Sequence, residues 1–337
     1  MVQQNQSIGR RQFIKITALA GLAAGLGSAL ARKQAAGALH HVQETRIVMG
    51  SLANITVVAD RQSDAQRAVE ATFARMHELE AVLSRFQPDS QLSQLNRAGA
   101  LTDAHPALRD VLGRSVQIGA LTGGVFDVTV ESLLALYRSA AKVNSVPAGA
   151  DVTAARALVD YRQIALQGAA IRLNQPGMAV TLDGIAKGYI IDEGAAELAR
   201  LGFPNVLVEV GGDMQARGQA GGAPWRIGIQ SPDGRAPLAT TSLQGVALAT
   251  SGDYLNTFTA DRRLHHILDP RTGTSPVALS SVSVSAPTAC EADALSTSIL
   301  ALGPIEGLAL VEGLANTEAF LITKHGEVLY SSGFALV

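Results

Sequence analysis

The sequence predicts an α+β domain. Strand-like runs mostly follow strand-like runs, with helices inserted between them, whereas a doubly wound sheet would alternate the two regularly. No internal repeat and no clean linker divides the roughly 300 residues behind the amino-terminal leader, a length one domain can reach. The chain is 47% hydrophobic but only 4% aromatic, so its core is built from Val, Leu, Ile and Ala. The expected architecture is a single compact domain of mixed, mostly antiparallel sheets flanked by helices.

Residues 1–31 read as a leader. Arg10-Arg11-Gln12-Phe13-Ile14-Lys15 is a twin-arginine pattern, residues 16–30 are apolar and rich in Gly and Ala, and Ala29-Leu30-Ala31 suits a signal peptidase. The apolar run is too short and too glycine-rich for a good membrane span, although an uncleaved anchor is the competing reading. Twin-arginine export carries folded proteins, so the mature chain is expected in a bacterial periplasm without stable membrane insertion. Residues 32–44 read as a flexible polar lead-in, and 45–337 as the folded domain.

Within that domain, residues 45–49 and 55–59 are expected as strands around a Gly50-Ser51 turn. From Asp64, read as an N-cap, to Phe86, apolar residues fall at 65, 69, 73, 76, 79, 83 and 86, a helical spacing. Residues 108–121 and 129–140 are further helices, and 141–155 reads as loop. Residues 170–173 and 178–182 are strands around a turn at 174–177. Residues 185–201 form a helix closed by Gly202. Strands are expected at 206–210, 225–230, 245–250, 281–286, 318–323 and 328–330, with a helix at 292–302.

Without Arg10, Arg11 and Lys15 the chain keeps 24 of its 27 basic residues against 29 acidic ones, a net charge of about −5. That balance argues against nucleic acid, or an anionic membrane, as a partner held by bulk charge. Cys290 is the only cysteine, so no internal disulfide forms even in an oxidising compartment. It lies outside any lipobox and is expected as a small buried residue.

The densest chemistry lies at 250–297. Thr250-Ser251-Gly252-Asp253-Tyr254 is followed by His265-His266-Ile267-Leu268-Asp269-Pro270-Arg271-Thr272-Gly273, then by Ala292-Asp293-Ala294-Leu295-Ser296-Thr297. Asp293 and Thr297 are four apart, so on a helix their oxygens share a face. They are either ligands for a hard cation, or a helix cap and a packing threonine. His266 precedes a turn made by residues 269–273 and is either a proton carrier or a structural histidine.

Five segments carry a family resemblance. They are Met49-Gly50-Ser51; Ser84-Arg85-Phe86 through Ser90 to Asn96; Thr122-Gly123-Gly124-Val125-Phe126-Asp127; Asp183-Gly184-Ile185-Ala186-Lys187-Gly188-Tyr189 followed by Asp192; and the 250–297 stretch. With the Val-Gly-Gly-Asp run ending at Asp213, their order and spacing resemble the ApbE family, the FAD:protein FMN transferases, from about residue 45 to 335. The resemblance implies that FAD is cleaved at its pyrophosphate, that FMN is esterified to a threonine or serine of a client protein, that AMP leaves, and that Mg2+ assists.

The same resemblance assigns roles to residues. Asp293, Thr297 and the backbone carbonyl of Gly184 are implied as Mg2+ ligands, oxygen donors that suit a hard ion. Lys187, at the start of a helix where free N–H groups add to its charge, is implied as the phosphate or flavin partner, unless it is simply solvated. Asp183 is read as the cap of that helix. Thr181 maps to a nucleotide contact. Met49, Phe86, Val125, Phe126 and Asp127 map to FAD contacts, with Asp127 accepting from the flavin's N–H edge and Phe86 stacking unless it is core. Ile267 lines the flavin site. His266 directly precedes that isoleucine and is implied as the general base in preference to His265.

Ser51 stands where threonine is usual and keeps the hydroxyl. The acceptor pattern of clients does not occur in this chain, so the modified hydroxyl is expected on another protein, a periplasm-facing domain of a respiratory membrane complex. A family member associated with nitrous-oxide reduction carries the same kind of leader. A flavin carrier without transfer activity and a Mg2+-dependent FAD pyrophosphatase are the competing functions. A pure carrier would not need His266, Asp293 or Thr297.

Overall fold

The computed structural model describes residues 39–337 except Arg235 and Leu255; the leader and most of the lead-in lie outside the described residues. The chain opens with β1 (His40–Val48) and β2 (Ser51–Ala59), antiparallel and joined by Met49-Gly50, both at positive φ. Residues 40–44 are therefore strand, not flexible lead-in. Only one face of this edge strand is covered, and its polar composition hides it from a hydrophobic pattern. In α1 (Gln62–Leu83), Ala65, Val69, Phe73, Met76, Leu79 and Leu83 form the buried stripe. The helix starts before Asp64, whose carboxylate pairs with Arg67 instead of capping, and it stops short of Phe86.

Next come α2 (Gln91–Ala98), capped by the Ser90 hydroxyl, then β3 (Ala100–Leu101), α3 (Pro106–Leu121), α4 (Glu131–Lys142) and α5 (Gly149–Arg156). α5 corrects the loop expected at 141–155. It buries no side chain and so shows no apolar stripe. β4 (Ile164–Gln167) pairs with β5 (Ala170–Leu173). Residues 178–182 are not a strand. The Asn96 amide binds both main-chain groups of Val180, donating to its carbonyl at 2.8 Å and accepting from its N–H at 2.7 Å, where a ladder partner would otherwise be.

The second half holds α6 (Ala186–Arg200), β6 (Val206–Val210), β7 (Asp213–Arg217), β8 (Trp225–Gln230), β9 (Pro237–Leu243) and β10 (Ala247–Gly252). It closes with β11 (Leu279–Ala286), α7 (Ala289–Leu302), α8 (Pro304–Glu312), β12 (Glu318–Thr323) and β13 (Val328–Tyr330). The main sheet runs β1-β2-β6-β7-β10-β11-β12-β13, and each neighbouring pair is antiparallel. β3-β5-β4 and the β8-β9 hairpin form two smaller sheets, also antiparallel.

All five residues of β6 are buried, as a strand covered on both faces requires. α6 packs on one face. On the other, the β8–β9 hairpin lays Trp225, Ile227 and Leu243 against Leu207, Met214 and Leu248. α6 also crosses α7 at main-chain contact. A Cβ on Gly188 would lie 2.2 Å from the Ala289 carbonyl oxygen, so only glycine fits there. One turn on, the Asp192 carboxylate accepts from Ala289 N at 2.8 Å and Cys290 N at 2.9 Å, capping α7 from the neighbouring helix. Burial raises that carboxyl to about 6. Cys290 is buried at this junction, as expected.

Candidate active site

The α6–α7 crossing forms one wall of a cavity of about 1850 Å³, well above the ~300–1,000 Å³ of an ordinary small-ligand pocket. The twelve residues to which the resemblance assigns a catalytic, FAD-contacting or metal-binding role all line it: Met49, Phe86, Val125, Phe126, Asp127, Thr181, Gly184, Lys187, His266, Ile267, Asp293 and Thr297. They come from distant parts of the chain and are brought together by the sheet order.

The residues present fit a hard cation. Asp293 is buried one turn into α7; its Oδ2 accepts from Gly188 N at 3.1 Å, and Oδ1 accepts no hydrogen bond among the described residues. It does not cap its helix, since Thr288 does. Thr297 follows on the same face, its Oγ1 3.1 Å from Ser251 Oγ, which is 2.8 Å from Ser296 Oγ. A Cβ on Gly184 would come within 3.0 Å of Thr297 Oγ1, so glycine brings its main chain against the threonine hydroxyl. A carboxylate, a hydroxyl and a main-chain carbonyl are the donors such an ion takes. Burial holds the Asp293 carboxyl well above the usual range, with Lys187 opposing and Asp213 reinforcing the rise.

Lys187 is not a solvated surface lysine. Its ammonium is ion-paired with Asp213, at the start of β7. Burial works against the charge, but Asp213 and then Asp293 outweigh it and raise the lysine's pKa. The other Asp213 oxygen accepts from Thr250 N at 2.9 Å. In the sequence Asp213 stands out only as the end of the Val-Gly-Gly-Asp run.

The two histidines separate cleanly. His265 is fully buried, its Nε2 3.1 Å from the Pro276 carbonyl, and it does not line the cavity. His266 lines it, with Nδ1 3.1 Å from the Asn256 carbonyl. A carbonyl can only accept, so Nδ1 carries the proton and Nε2 keeps a lone pair for a base. Burial, reinforced by His265, depresses the His266 pKa to about 4, so the ring is neutral at neutral pH. The expected turn is present, with Gly273 N donating to the Asp269 carbonyl at 2.7 Å and Arg271 held by the Asp269 carboxylate.

Other expectations change. Phe86 is 72% exposed at the cavity rim, with the Arg85 guanidinium 4.0 Å over its ring, so it is not core. Arg85 also binds Asp183 at 2.7 Å; Asp183 caps nothing, and α6 begins after Ile185 without a side-chain cap. The Asp127 carboxylate is already engaged. Oδ1 accepts from Thr129 N and Oγ1, and Oδ2 from Tyr161 N, so three bonds fix the carboxylate in the wall and leave Oδ2 one further acceptor site. Thr181 Oγ1 accepts from Asp183 N at 3.2 Å. Asp253, in the Ser-Gly-Asp-Tyr run that shares the family pattern, is ion-paired with Lys324 and does not line the cavity. Sequence reading missed a polar row on the sheet face, in which Thr45 donates to Asn54, Asn54 to Glu209, and Glu209 accepts from Gly212 N at 2.6 Å. Asn54 and Glu209 lie opposite each other on paired strands, a relation visible only once β2 and β6 are known to be neighbours.

A positive charge, a neutral imidazole and a set of hard oxygen donors around one large cavity suit the movement of a phosphoryl group. The chain belongs to the ApbE family, whose profile matches residues 49–321. It is 34% identical over 298 residues to the FAD:protein FMN transferase of Salmonella typhimurium, covering 83% of each chain. Among solved structures it is similar to the flavin transferase ApbE from Vibrio cholerae, with a TM-score of 0.78, 27% identity, and coverage of 88% of this chain and 99% of that one. The Pseudomonas stutzeri flavinyl transferase ApbE in its apo form gives a TM-score of 0.77 at 30% identity, with 87% and 95% covered.

Proposed function

We propose that this protein is a Mg2+-dependent transferase that moves FMN from FAD to a threonine or serine hydroxyl of a partner protein. The observation that carries the reading is the convergence of His266, Lys187 and the Asp293–Thr297–Gly184 oxygens on one cavity. In the reaction the client hydroxyl oxygen attacks the FMN phosphorus. A new P–O bond forms as the pyrophosphate P–O bond breaks, and AMP leaves. His266 Nε2 takes the hydroxyl proton, a role its neutral state at physiological pH permits. Lys187, fixed by Asp213, offers positive charge to phosphate oxygens. Asp293, Thr297 and the Gly184 carbonyl would hold the Mg2+, which when bound neutralises phosphate charge. Val125, Phe126, Ile267 and the exposed Phe86 ring provide apolar surface for the flavin.

The twin-arginine leader supports a periplasmic site of action and a client domain facing that compartment. The test is to incubate the chain from residue 32 with FAD, Mg2+ and a client flavin domain. Flavin fluorescence on the denatured client, with one AMP released per flavin, is expected. AMP and free FMN with an unlabelled client would instead indicate a pyrophosphatase, and binding without AMP a carrier.

A further inference from the structure

Lys187 stands between two carboxylates of unequal standing. Its ammonium pairs with Asp213, and among the described residues no Lys187–Asp293 ion pair forms within 4.0 Å. Asp213 is 1% exposed and doubly held, by Lys187 on Oδ2 and by Thr250 N on Oδ1, so its position is set by β7 and β10 rather than by the lysine. Asp293 is buried beside this pair with one oxygen unbonded among the described residues, and it is the one carboxylate among the three implied cation ligands. A long flexible ammonium next to an under-bonded carboxylate would close on it unless something else held the amine.

We infer that Asp213 is a positioning residue that restrains Lys187, so that Asp293 keeps its free oxygen for the cation while the lysine faces phosphate. Without that restraint, Lys187 turns to Asp293 and competes with the metal for the same carboxylate. Nothing in this arrangement requires Asp213 to touch substrate or ion. The inference rests on the reading of Asp293, Thr297 and Gly184 as the Mg2+ site.

The test measures Mg2+ binding by calorimetry on the FAD-free protein, with far-ultraviolet circular dichroism to confirm folding. Asp213→Asn keeps the acceptor for Thr250 N but removes the charge, and is expected to weaken Mg2+ binding by roughly tenfold or more, the usual cost of losing a residue that orients a ligand. The double variant Asp213→Asn/Lys187→Met removes the competitor and is expected to return affinity to within about threefold of wild type, less than the tenfold loss that one mis-set partner produces. Lys187→Met alone should bind at least as tightly as wild type, and it tests the competition even if Asp213→Asn fails to fold. Wild-type affinity in Asp213→Asn overturns the inference, as does a double variant no tighter than the single one, or weaker binding by Lys187→Met. If the wild type binds no Mg2+, the metal reading falls first and takes this inference with it.

Discussion

The α6–α7 seam and the 256–276 loop face the same cavity but hold their functional groups by different means. In the seam, Gly188 and Ala289 are in main-chain contact, Asp192 caps the neighbouring helix, and Asp293 is tied to Gly188 N. Its main-chain positions are fixed by helix packing, so each polar side chain starts from a set point. Among the described residues the loop forms no helix or named strand; its turns and two isolated bridges, Thr257 with His265 and Asp269 with Thr274, carry it, and the His266 ring is set by the Asn256 carbonyl. A cation site needs several donors at fixed distances, which a seam supplies. A proton acceptor needs one atom in one tautomer, which a carbonyl on a loop can set.

Substitutions can break this contrast at either side. The largest expected effect is from Asp293→Ala, which removes the only implied carboxylate ligand. It should lower client labelling by more than about 10³-fold, the scale of several kcal/mol of metal-borne charge stabilisation, and should abolish Mg2+ binding by calorimetry. Labelling near the wild-type rate would end the metal reading.

His266→Ala should reduce the labelling rate about 10²-fold or more while FAD affinity, followed by flavin fluorescence, stays within a few-fold. A normally active variant would remove His266 as the base. His265→Ala sharpens the distinction. It should cost about 1–3 kcal/mol in denaturant unfolding, because it leaves buried polar groups unpaired, with catalysis by the remaining folded protein preserved.

Gly188→Ala forces a methyl against the Ala289 carbonyl and should destabilise by about 1–3 kcal/mol in urea unfolding. An unchanged midpoint would show that the seam can shift without loss. The smallest effect concerns pH. Because His266 is depressed to about 4, it stays neutral and able to accept a proton from pH 7 down to pH 5. The labelling rate at saturating substrates should therefore show no His266-dependent fall near pH 6.5. A fall there that vanishes in His266→Ala would contradict the neutral imidazole.

Much of the fold was legible because its signals are local. The α1 stripe, the largely apolar β6 with its single Glu209, the Gly202 stop of α6 and the strands at β12 and β13 follow from periodicity and turn chemistry alone. Several of the missed elements lack such signals. β7 reads Asp-Met-Gln-Ala-Arg, polar yet buried between β6 and β10. β9 carries Pro and Thr and gains its place by pairing with β8. α5 buries nothing. Residues 178–182 alternate like a strand but find Asn96 instead of a neighbour.

The site divides in the same way. The candidates His266, Lys187, Asp293 and Thr297 could be named from the sequence, because they sit in the short segments that carry the family resemblance. Which of them touch was decided by the fold. Lys187 meets Asp213 26 residues away and Gly188 meets Asp293 105 residues away, while Asp127 is fixed by Thr129 and Tyr161. Helix period and turn preference depend on neighbours a few residues apart, so one sequence determines them. Ion pairs, tautomers and the freedom of a carboxylate oxygen depend on which strands and helices become neighbours, and only the folded chain decides that.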